Sequence, residues 1–218
     1  MQIQTHILTN IPVFKVEDSL KAVVKFFKNT TFSHVAVIEK GRFLGVLSED
    51  DLENLKVDEK IEGYRYSLDN FFTRKDANWL DVLEGFARNE ANILPVLGEN
   101  EEVLGYYDLT DVVGVFIDTP FFTEPGNILV VAKGTKDYSF SEVAQIVESN
   151  NAKYIGGFIT EMLNDVVQIT IKISTENFSD VVQTFRRYNY NIVFGNSDDK
   201  FLEDLKERSD YLDKYLNV

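Results

Sequence analysis

The sequence predicts an α+β protein made of a tandem repeat followed by a second domain with its own pattern. One segment occurs twice, reading SHVAVIEKGRFLGVLSEDDL at 33–52 and NILPVLGENEEVLGYYDLTDV at 92–112. In each copy a glycine is followed six residues later by an aspartate, and the pairs Gly45/Asp51 and Gly105/Asp111 are sixty positions apart. A repeat unit of this size cannot bury its apolar face alone. The two copies are therefore expected to pack together, with a ligand cleft between them.

Copy one, at about residues 1–55, starts with an amphipathic helix. Asp18-Ser19 offers an N-cap before LKAVVKFFKN, where apolar residues fall at i, i+3, i+4 and i+7. HVAVIE and RFLGVLS follow as two short strands around a tight turn. Ser48 then caps a second helix in EDDLENL.

Copy two, at about residues 68–118, repeats this order. Asp76 and Asn78 precede the helical pattern WLDVLEGFAR, and NILPVL and VLGYY are the strands. A last helix is predicted from LTDVVGVF. Residues 53–70 between the copies are a polar connection.

Beyond the repeat, the chain is predicted to contain a second domain at 127–196. Pro120 and the Pro125-Gly126 pair mark residues 119–126 as a linker. The patterns that follow give the order βαββαβ, which is the split arrangement of ferredoxin-like domains. The segment 197–218 is helical by period, and its spaced leucines form an apolar face: Leu202, Leu205, Leu212 and Leu216.

Composition excludes several classes of function. The formal net charge of −14 argues against binding to nucleic acids or to anionic membranes. Without cysteine the chain has no thiol nucleophile, no thiolate metal site and no disulfide. No apolar run reaches the roughly 18 residues of a membrane span, so a cytoplasmic location is expected.

On these patterns, residues 1–118 resemble a tandem pair of CBS motifs, and residues 125–195 resemble an ACT-type regulatory domain. The combination is similar to the CBS-plus-ACT proteins related to the acetoin-utilisation family. The resemblance covers nearly the whole chain except its C-terminal helix. It implies a CBS pair, or Bateman-type module, followed by an ACT-like domain.

The resemblance also implies which residues of the repeated motif would bind a ligand. In adenosyl-binding CBS pairs the motif begins with Gly and two apolar residues, continues with Thr or Ser and two further residues, and ends with Asp. Gly45, Ser48 and Asp51 match it in copy one. The glycine lets the backbone turn close to the ligand, the hydroxyl and helix-start N–H groups suit a phosphate, and the aspartate accepts from ribose hydroxyls.

Copy two departs from the pattern, because Asp108 stands where the hydroxyl belongs, between Gly105 and Asp111. A carboxylate facing a phosphate costs on the order of a kcal/mol or more. The two clefts are therefore expected to be unequal, with AMP-like ligands favouring the one that contains Ser48 and Asp51. The family also places adenine against residues on the entry segments and first strands of the copies, here Ile11, Pro12, Val35, Ala36, Leu94 and Pro95.

Two readings of function follow from the resemblance. In the first, the chain is a non-catalytic regulatory sensor that binds AMP, ADP, ATP or S-adenosylmethionine, without a metal, and forms a homodimer through the ACT-like domain. It would act on a regulated protein that the sequence does not identify. In the second, the chain is a structural or adaptor homodimer with vestigial nucleotide sites. The motif glycines would then mark strand bends, and the motif serine and aspartates would be ordinary helix-start residues.

The sequence gives no support to a catalytic role, because no nucleophile–base pair and no Walker-type loop occurs. The site where ACT domains bind amino acids corresponds to the turn 133–138, which lacks the Asp-x-Pro-Gly stretch of the amino-acid-binding members. Lys133 and Lys136 in that turn are interpreted as solvated. A capping box of Ser139 and Glu142 is predicted to start the helix after it.

Overall fold

The structure, a computed structural model, describes residues 3–54 and 58–195 and consists of two compact units. The first unit is Met1–Asp118 and the second is Thr119–Val218. The helix predicted at 197–218 lies outside the described residues.

Copy one of the first unit is a three-stranded sheet with one helix. Its elements are β1 (Phe14–Lys15), α1 (Leu20–Phe27), β2 (His34–Glu39), β3 (Arg42–Ser48) and a short 3-10 helix (Asp50–Asn54). β1 runs parallel to β2, and β2 runs antiparallel to β3. The two-residue strand β1 was not predicted, because two residues carry no detectable period.

Copy two repeats the same topology. Its elements are β4 (Thr73–Arg74), α2 (Trp79–Arg88), β5 (Ile93–Leu97), β6 (Val103–Asp108) and α3 (Leu109–Ile117). β4 is parallel to β5, and β5 is antiparallel to β6. The connection between the copies contains a 3-10 helix, Ile61–Ser67.

The predicted start of each long helix is confirmed by its N-cap. The Ser19 hydroxyl accepts from the amide of Lys21, and the Asn78 side chain accepts from the amides of Leu80 and Asp81. Such side-chain acceptors satisfy amides that have no partner within the helix. Each helix covers one face of its own sheet, and the resulting cores contain Leu20, Val23, Phe27, Val35, Val37 and Leu47 in copy one and Val82, Phe86, Leu94, Val96, Tyr107 and Val112 in copy two.

The second unit has the predicted βαββαβ order. Its elements are β7 (Asn127–Gly134), α5 (Phe140–Ser149), β8 (Lys153–Leu163), β9 (Val166–Ser174), α6 (Phe178–Arg187) and β10 (Asn191–Gly195). The strands form one sheet in the order β10-β7-β9-β8. Their alternating buried residues pack with Val143, Ile146, Val181 and Phe185 from the two helices.

The segment predicted as a linker packs against the sheet of the second unit. It contains the short helix α4 (Pro120–Thr123), and the Phe121 ring lies 5.7 Å from the ring of Phe158, centroid to centroid. The ammonium group of Lys172 donates to the carbonyl oxygen of Phe122 at 3.3 Å. The Pro-rich composition that indicated a linker therefore marks a short helix that begins with proline.

Among the described residues, no helix combines the length and the apolarity needed to cross a membrane.

Candidate functional site

The two copies of the first unit are joined by a reciprocal pair of hydrogen bonds. The amide of Ser33 donates to Oδ1 of Asn92 at 2.8 Å, and the amide of Asn92 donates to Oγ of Ser33 at 3.0 Å. Each residue immediately precedes the first strand of its repeated segment, β2 in copy one and β5 in copy two. The equivalent positions therefore meet at a local pseudo-twofold axis, and residues about sixty apart in sequence occupy equivalent places on the two sides.

Gly45 and Gly105 are required by the way the chain crosses between the copies. The first residues of copy two form a bridge from Asp69 to Val46, and the first residues of copy one form the equivalent bridge from Leu8 to Tyr106. A Cβ on Gly45 would lie 2.8 Å from the carbonyl oxygen of Asp69.

The sequence interpretation that these glycines admit a ligand is therefore corrected, because the close approach is made by the protein's own backbone. Gly105 also has φ +151°, and a Cβ there would collide with the carbonyl oxygen of Leu8. Both glycines thus fix the packing of the two copies.

Ser48 and Asp51 lie together at the end of β3. The amide of Asp51 donates to Oγ of Ser48 at 3.0 Å, and both residues are half-buried. Ser48 thus caps the 3-10 helix Asp50–Asn54, where the sequence predicted a helix start. This arrangement leaves a hydroxyl and a carboxylate next to each other at the edge of the sheet.

His34 lies opposite Ser48 in the sheet, and its ring contacts an aromatic side chain and is influenced by several carboxylates. Its ring lies 5.0 Å from the ring of Phe71, edge to face, and its Nδ1 lies 2.8 Å from Oγ of Ser33. Burial lowers the pKa of His34, although the charges of Asp69, Asp51 and Asp50 act in the opposite direction. A neutral imidazole adds no positive charge, so the surroundings of Ser48 are acidic.

Asp108, the residue of copy two equivalent to Ser48, stabilises the start of a helix. Its Oδ1 accepts from the amides of Thr110 at 2.7 Å and Asp111 at 3.3 Å, and it thereby caps α3. Asp111 is exposed on the first turn of that helix. The copy-two motif therefore presents two carboxylates, where copy one presents a hydroxyl and a carboxylate.

The side chains of Val35 and Leu94 are not available to a ligand. Val35 is fully buried, and Leu94 is 1% exposed. Each packs into the core beneath the helix of its own copy. Their prediction as ligand contacts is corrected by strand alternation, because only every second side chain of β2 and β5 faces away from the helix.

Ile11, Pro12 and Ala36 are brought together around a residue that the sequence reasoning missed. The Tyr106 hydroxyl donates to the carbonyl oxygen of Pro12 at 2.8 Å and accepts from the amide of Ala36 at 3.0 Å. Ile11 packs against the same tyrosine. The polar groups of Pro12 and Ala36 that could meet an adenine are thus occupied by a side chain of copy two.

Pro95 is buried beside Tyr106, its partner in the sheet. The signal for Tyr106 was present in the sequence, since a large aromatic stands where copy one has Val46. Its partners could not be read from the sequence, because they are 70 and 94 positions away.

In the second unit, the turn that corresponds to an amino-acid site is already paired. The ammonium group of Lys133 lies 2.6 Å from Oε2 of Glu142 and 4.3 Å from the ring centroid of Tyr190. The Tyr190 hydroxyl donates to the same carboxylate oxygen at 2.8 Å. The interpretation of Lys133 as solvated is therefore wrong.

The predicted capping box is also wrong. Glu142 bonds to Lys133 and Tyr190, while the hydroxyl of Ser139, which would have capped the helix, lies 2.6 Å from that of Ser141. Within the described ranges, no group of three or more His, Cys, Asp or Glu side chains is placed to hold a metal ion.

Comparison with known proteins finds a family match within the first unit. Residues 4–57 match the CBS domain family. A curated relative, an uncharacterized protein of Methanocaldococcus jannaschii, is 25% identical over 114 residues, which are 52% of this chain and 43% of the relative. The chain therefore spans less than half the length of the curated relative it matches.

Solved structures with a similar fold include a CBS domain pair/ACT domain protein from Thermotoga maritima. It is 22% identical, with a TM-score of 0.49 over 54% of this chain and 98% of that chain. The CBS domains of a transcriptional regulator from Streptococcus pneumoniae are 16% identical, with a TM-score of 0.46 over 52% of this chain and 98% of theirs. The protein CBSX2, solved in complex with AMP, is 17% identical, with a TM-score of 0.43 over 53% and 96%.

The matched segment and the repeated topology together define the class of the first unit. Residues 4–57 match the CBS domain, and copy two repeats the strand order and pairing of copy one. The chain thus has a mixed α+β fold in which a segment that matches the CBS domain is followed by a second copy of the same topology.

Proposed function

We propose that the chain is a non-catalytic regulatory sensor whose CBS pair binds an adenine nucleoside or nucleotide beside Ser48 and Asp51. The observation that carries the proposal is the placement of these two side chains at a helix start, in a segment that matches the CBS domain. The Ser48 hydroxyl and the Asp51 carboxylate provide the polar groups that a ribose would use. Gly45 is part of this site as the residue that lets the backbone of Asp69 approach.

The charges around this site narrow the ligand class. The negative charges of Asp50, Asp51 and Asp69 all raise the pKa of His34, which lies opposite Ser48 in the sheet. Two like charges at about 4 Å repel each other by about 1–4 kcal/mol near a protein surface. We therefore expect adenosine or the cationic S-adenosylmethionine to bind more tightly than AMP, and ADP or ATP to need a cation.

Replacing Asp51 with alanine is expected to weaken adenosine binding by about 1–3 kcal/mol, which is a factor of about 5–150 in Kd, because ribose hydroxyls would lose a charged acceptor. Isothermal titration calorimetry with adenosine, S-adenosylmethionine and AMP measures this change. Asp111→Ala is the matched control, since Asp111 is the equivalent residue of copy two.

Equal affinity in the wild type and Asp51→Ala, or an equal loss in both variants, would contradict this site. AMP binding more tightly than adenosine would contradict the electrostatic argument. If none of the three ligands binds, the alternative function, an adaptor with vestigial sites, is favoured.

The second unit is proposed to be an ACT-like dimerisation domain. Its βαββαβ order and single sheet support this assignment, and the pairing of Lys133 leaves that lysine engaged within the protein. Large apolar side chains on its strands are exposed, with Phe158 at 48% and Phe194 at 54%. Apolar surface of this kind is typical of an interaction site.

We expect a homodimer of about twice the 25.0 kDa chain mass. Light scattering on the full chain at micromolar concentration measures this directly. A mass near that of one chain would contradict the assignment of a dimerisation role.

A further inference from the structure

The sheet of the second unit has its two long helices on one face only. Val131 of β7 and Ile169 and Ile171 of β9 belong to the core beneath α5 and α6. Successive side chains of a strand point to opposite faces of the sheet, so Val130 and Thr170 lie on the other face, the open face. An antiparallel sheet can leave such a face to water when the side chains on it are polar.

The open face of this sheet is apolar at both of its edges. One row of neighbouring residues crosses all four strands: Phe194 of β10, Val130 of β7, Thr170 of β9 and Phe158 of β8. The two phenylalanines are each about half exposed. Ile128 lies on the same face of β7, two residues before Val130. Large apolar side chains in a row on a face without helices indicate that a further layer covers them.

The short helix α4 covers only one corner of the open face. A Cβ on Gly156 would lie 2.9 Å from the ring of Phe121, so the glycine makes room for this ring. Lys172, the strand partner of Gly156, is 9% exposed, and its ammonium group lies 3.3 Å from the carbonyl oxygen of Phe122. Among the described residues, no carboxylate forms an ion pair with this lysine. A nearly buried positive charge therefore lies beside the uncovered row without a counter-charge.

The chain itself continues from this face. β10 ends at Gly195, one residue after Phe194, and residues 196–218 follow beyond the described part of the chain. Their sequence predicts an amphipathic helix with a leucine face, made of Leu202, Leu205, Leu212 and Leu216. The same segment contains more Asp and Glu than Lys and Arg, so its charge complements that of Lys172.

The length of the segment agrees with the width of the open face. The leucine face extends about 21 Å in a helix, at about 1.5 Å per residue. Four strands about 4.8 Å apart are about 14 Å wide, and the side chains at both edges add to this width. Residues 196–201 span up to about 20 Å when extended, which is enough to turn the chain back over the sheet. A short tether also keeps the segment near the face at an effective concentration of about millimolar.

We propose that residues 197–218 pack as an amphipathic helix over the open face of their own second unit, with the leucine face against the row from Phe194 to Phe158. The inference goes beyond the proposed function, because it assigns this face to the chain itself. The proposed homodimer then forms through another surface. The edge strand β8, which pairs only with β9 among the described strands, remains accessible to a second copy.

A fluorescent label on the full chain tests the proposal, because the chain contains no cysteine and a single introduced thiol can be labelled. Ser209 lies within the leucine face, so Ser209→Cys carries an environment-sensitive dye such as acrylodan there. Glu207→Cys is the matched control, since Glu207 lies on the opposite side of the predicted helix. Thr170→Glu places a charge in the middle of the open face, and Ser141→Glu places one on α5, on the other side of the sheet.

We expect the dye at position 209 to emit at a shorter wavelength than the dye at position 207. Thr170→Glu should remove this difference, and Ser141→Glu should leave it unchanged. If circular dichroism shows that Thr170→Glu does not fold, Phe158→Lys takes its place, since Phe158 is already half exposed at the sheet edge. Refolding the labelled chain with an excess of unlabelled Thr170→Glu chain should not change the emission, because each segment contacts its own sheet.

Three results would overturn the proposal. Equal emission at positions 207 and 209 would mean that the leucine face is not buried. A difference that persists in both Thr170→Glu and Phe158→Lys would mean that the leucine face is buried elsewhere. A loss of the difference after refolding with the Thr170→Glu chain would mean that the segment covers the sheet of a second copy. If light scattering shows a monomer that keeps the difference, the proposed homodimer fails while this inference is supported.

Discussion

Replacing Gly105 with alanine is expected to destabilise the first unit by about 2–4 kcal/mol. The backbone of Gly105 has φ +151°, which residues with a Cβ rarely adopt, and the added Cβ would collide with the Leu8 carbonyl oxygen and the Ile7 side chain. The carbonyl cannot simply move away. It accepts from the amide of Tyr106 at 2.9 Å in the bridge that joins the two copies.

Gly114→Ala is the control for this prediction. Gly114 lies in α3, and nothing beyond the neighbouring backbone of its own helix lies within 4 Å of the position its Cβ would take, so alanine should be neutral or stabilising by up to about 1 kcal/mol. Urea denaturation followed by the fluorescence of Trp79, the chain's one tryptophan, reports on the first unit. If the free energy of unfolding of Gly105→Ala falls by less than about 1 kcal/mol, the prediction is contradicted, because the segment around Leu8 would then move aside at little cost in stability.

Lys133→Met is expected to destabilise the second unit by about 1–3 kcal/mol at neutral pH, because it leaves the Glu142 carboxylate without its cation. The side chains of this pair are 13% and 29% exposed, so neither is fully solvated. Methionine keeps the apolar stem that packs near Tyr190, so the loss reports mainly on the charge. Urea denaturation followed by far-ultraviolet circular dichroism measures this loss of stability. Lys136→Met is the control, because Lys136 is exposed in the same turn.

The pH dependence of this loss follows from the carboxylate. The hydrogen bond from Lys133 lowers the pKa of Glu142 below its ordinary value of 4.5. A lowered pKa in the folded state stabilises the fold above the unfolded-state pKa, and this stabilisation disappears as the pH falls through the folded-state pKa. The difference in the free energy of unfolding between the wild type and Lys133→Met should therefore be largest at pH 7 and should decrease below about pH 4.5. A difference that does not change with pH, or an equal loss in Lys136→Met, would contradict the ion pair.

The candidate site was predicted in part. The cap by Ser48 was predicted, because capping depends on residues three positions apart. The environment of Ser48 was not predicted, because His34, Phe71 and Asp69 come from three separate segments of the chain. The charge character of the site changed as a result, from one that suits a phosphate to one rich in carboxylates.

The sequence by itself determined the repeat, the order of the helices and strands, and the N-caps at Ser19 and Asn78. These features depend on local period and on contacts within a few residues. Only the tertiary structure decided which backbone lies against Gly45, what Lys133 binds and what fills the space between Pro12 and Ala36. The physical reason is that these contacts join residues far apart in sequence, up to 94 positions for Tyr106 and Pro12. Their geometry is fixed only when the two copies, or the helices and sheet of the second unit, pack together.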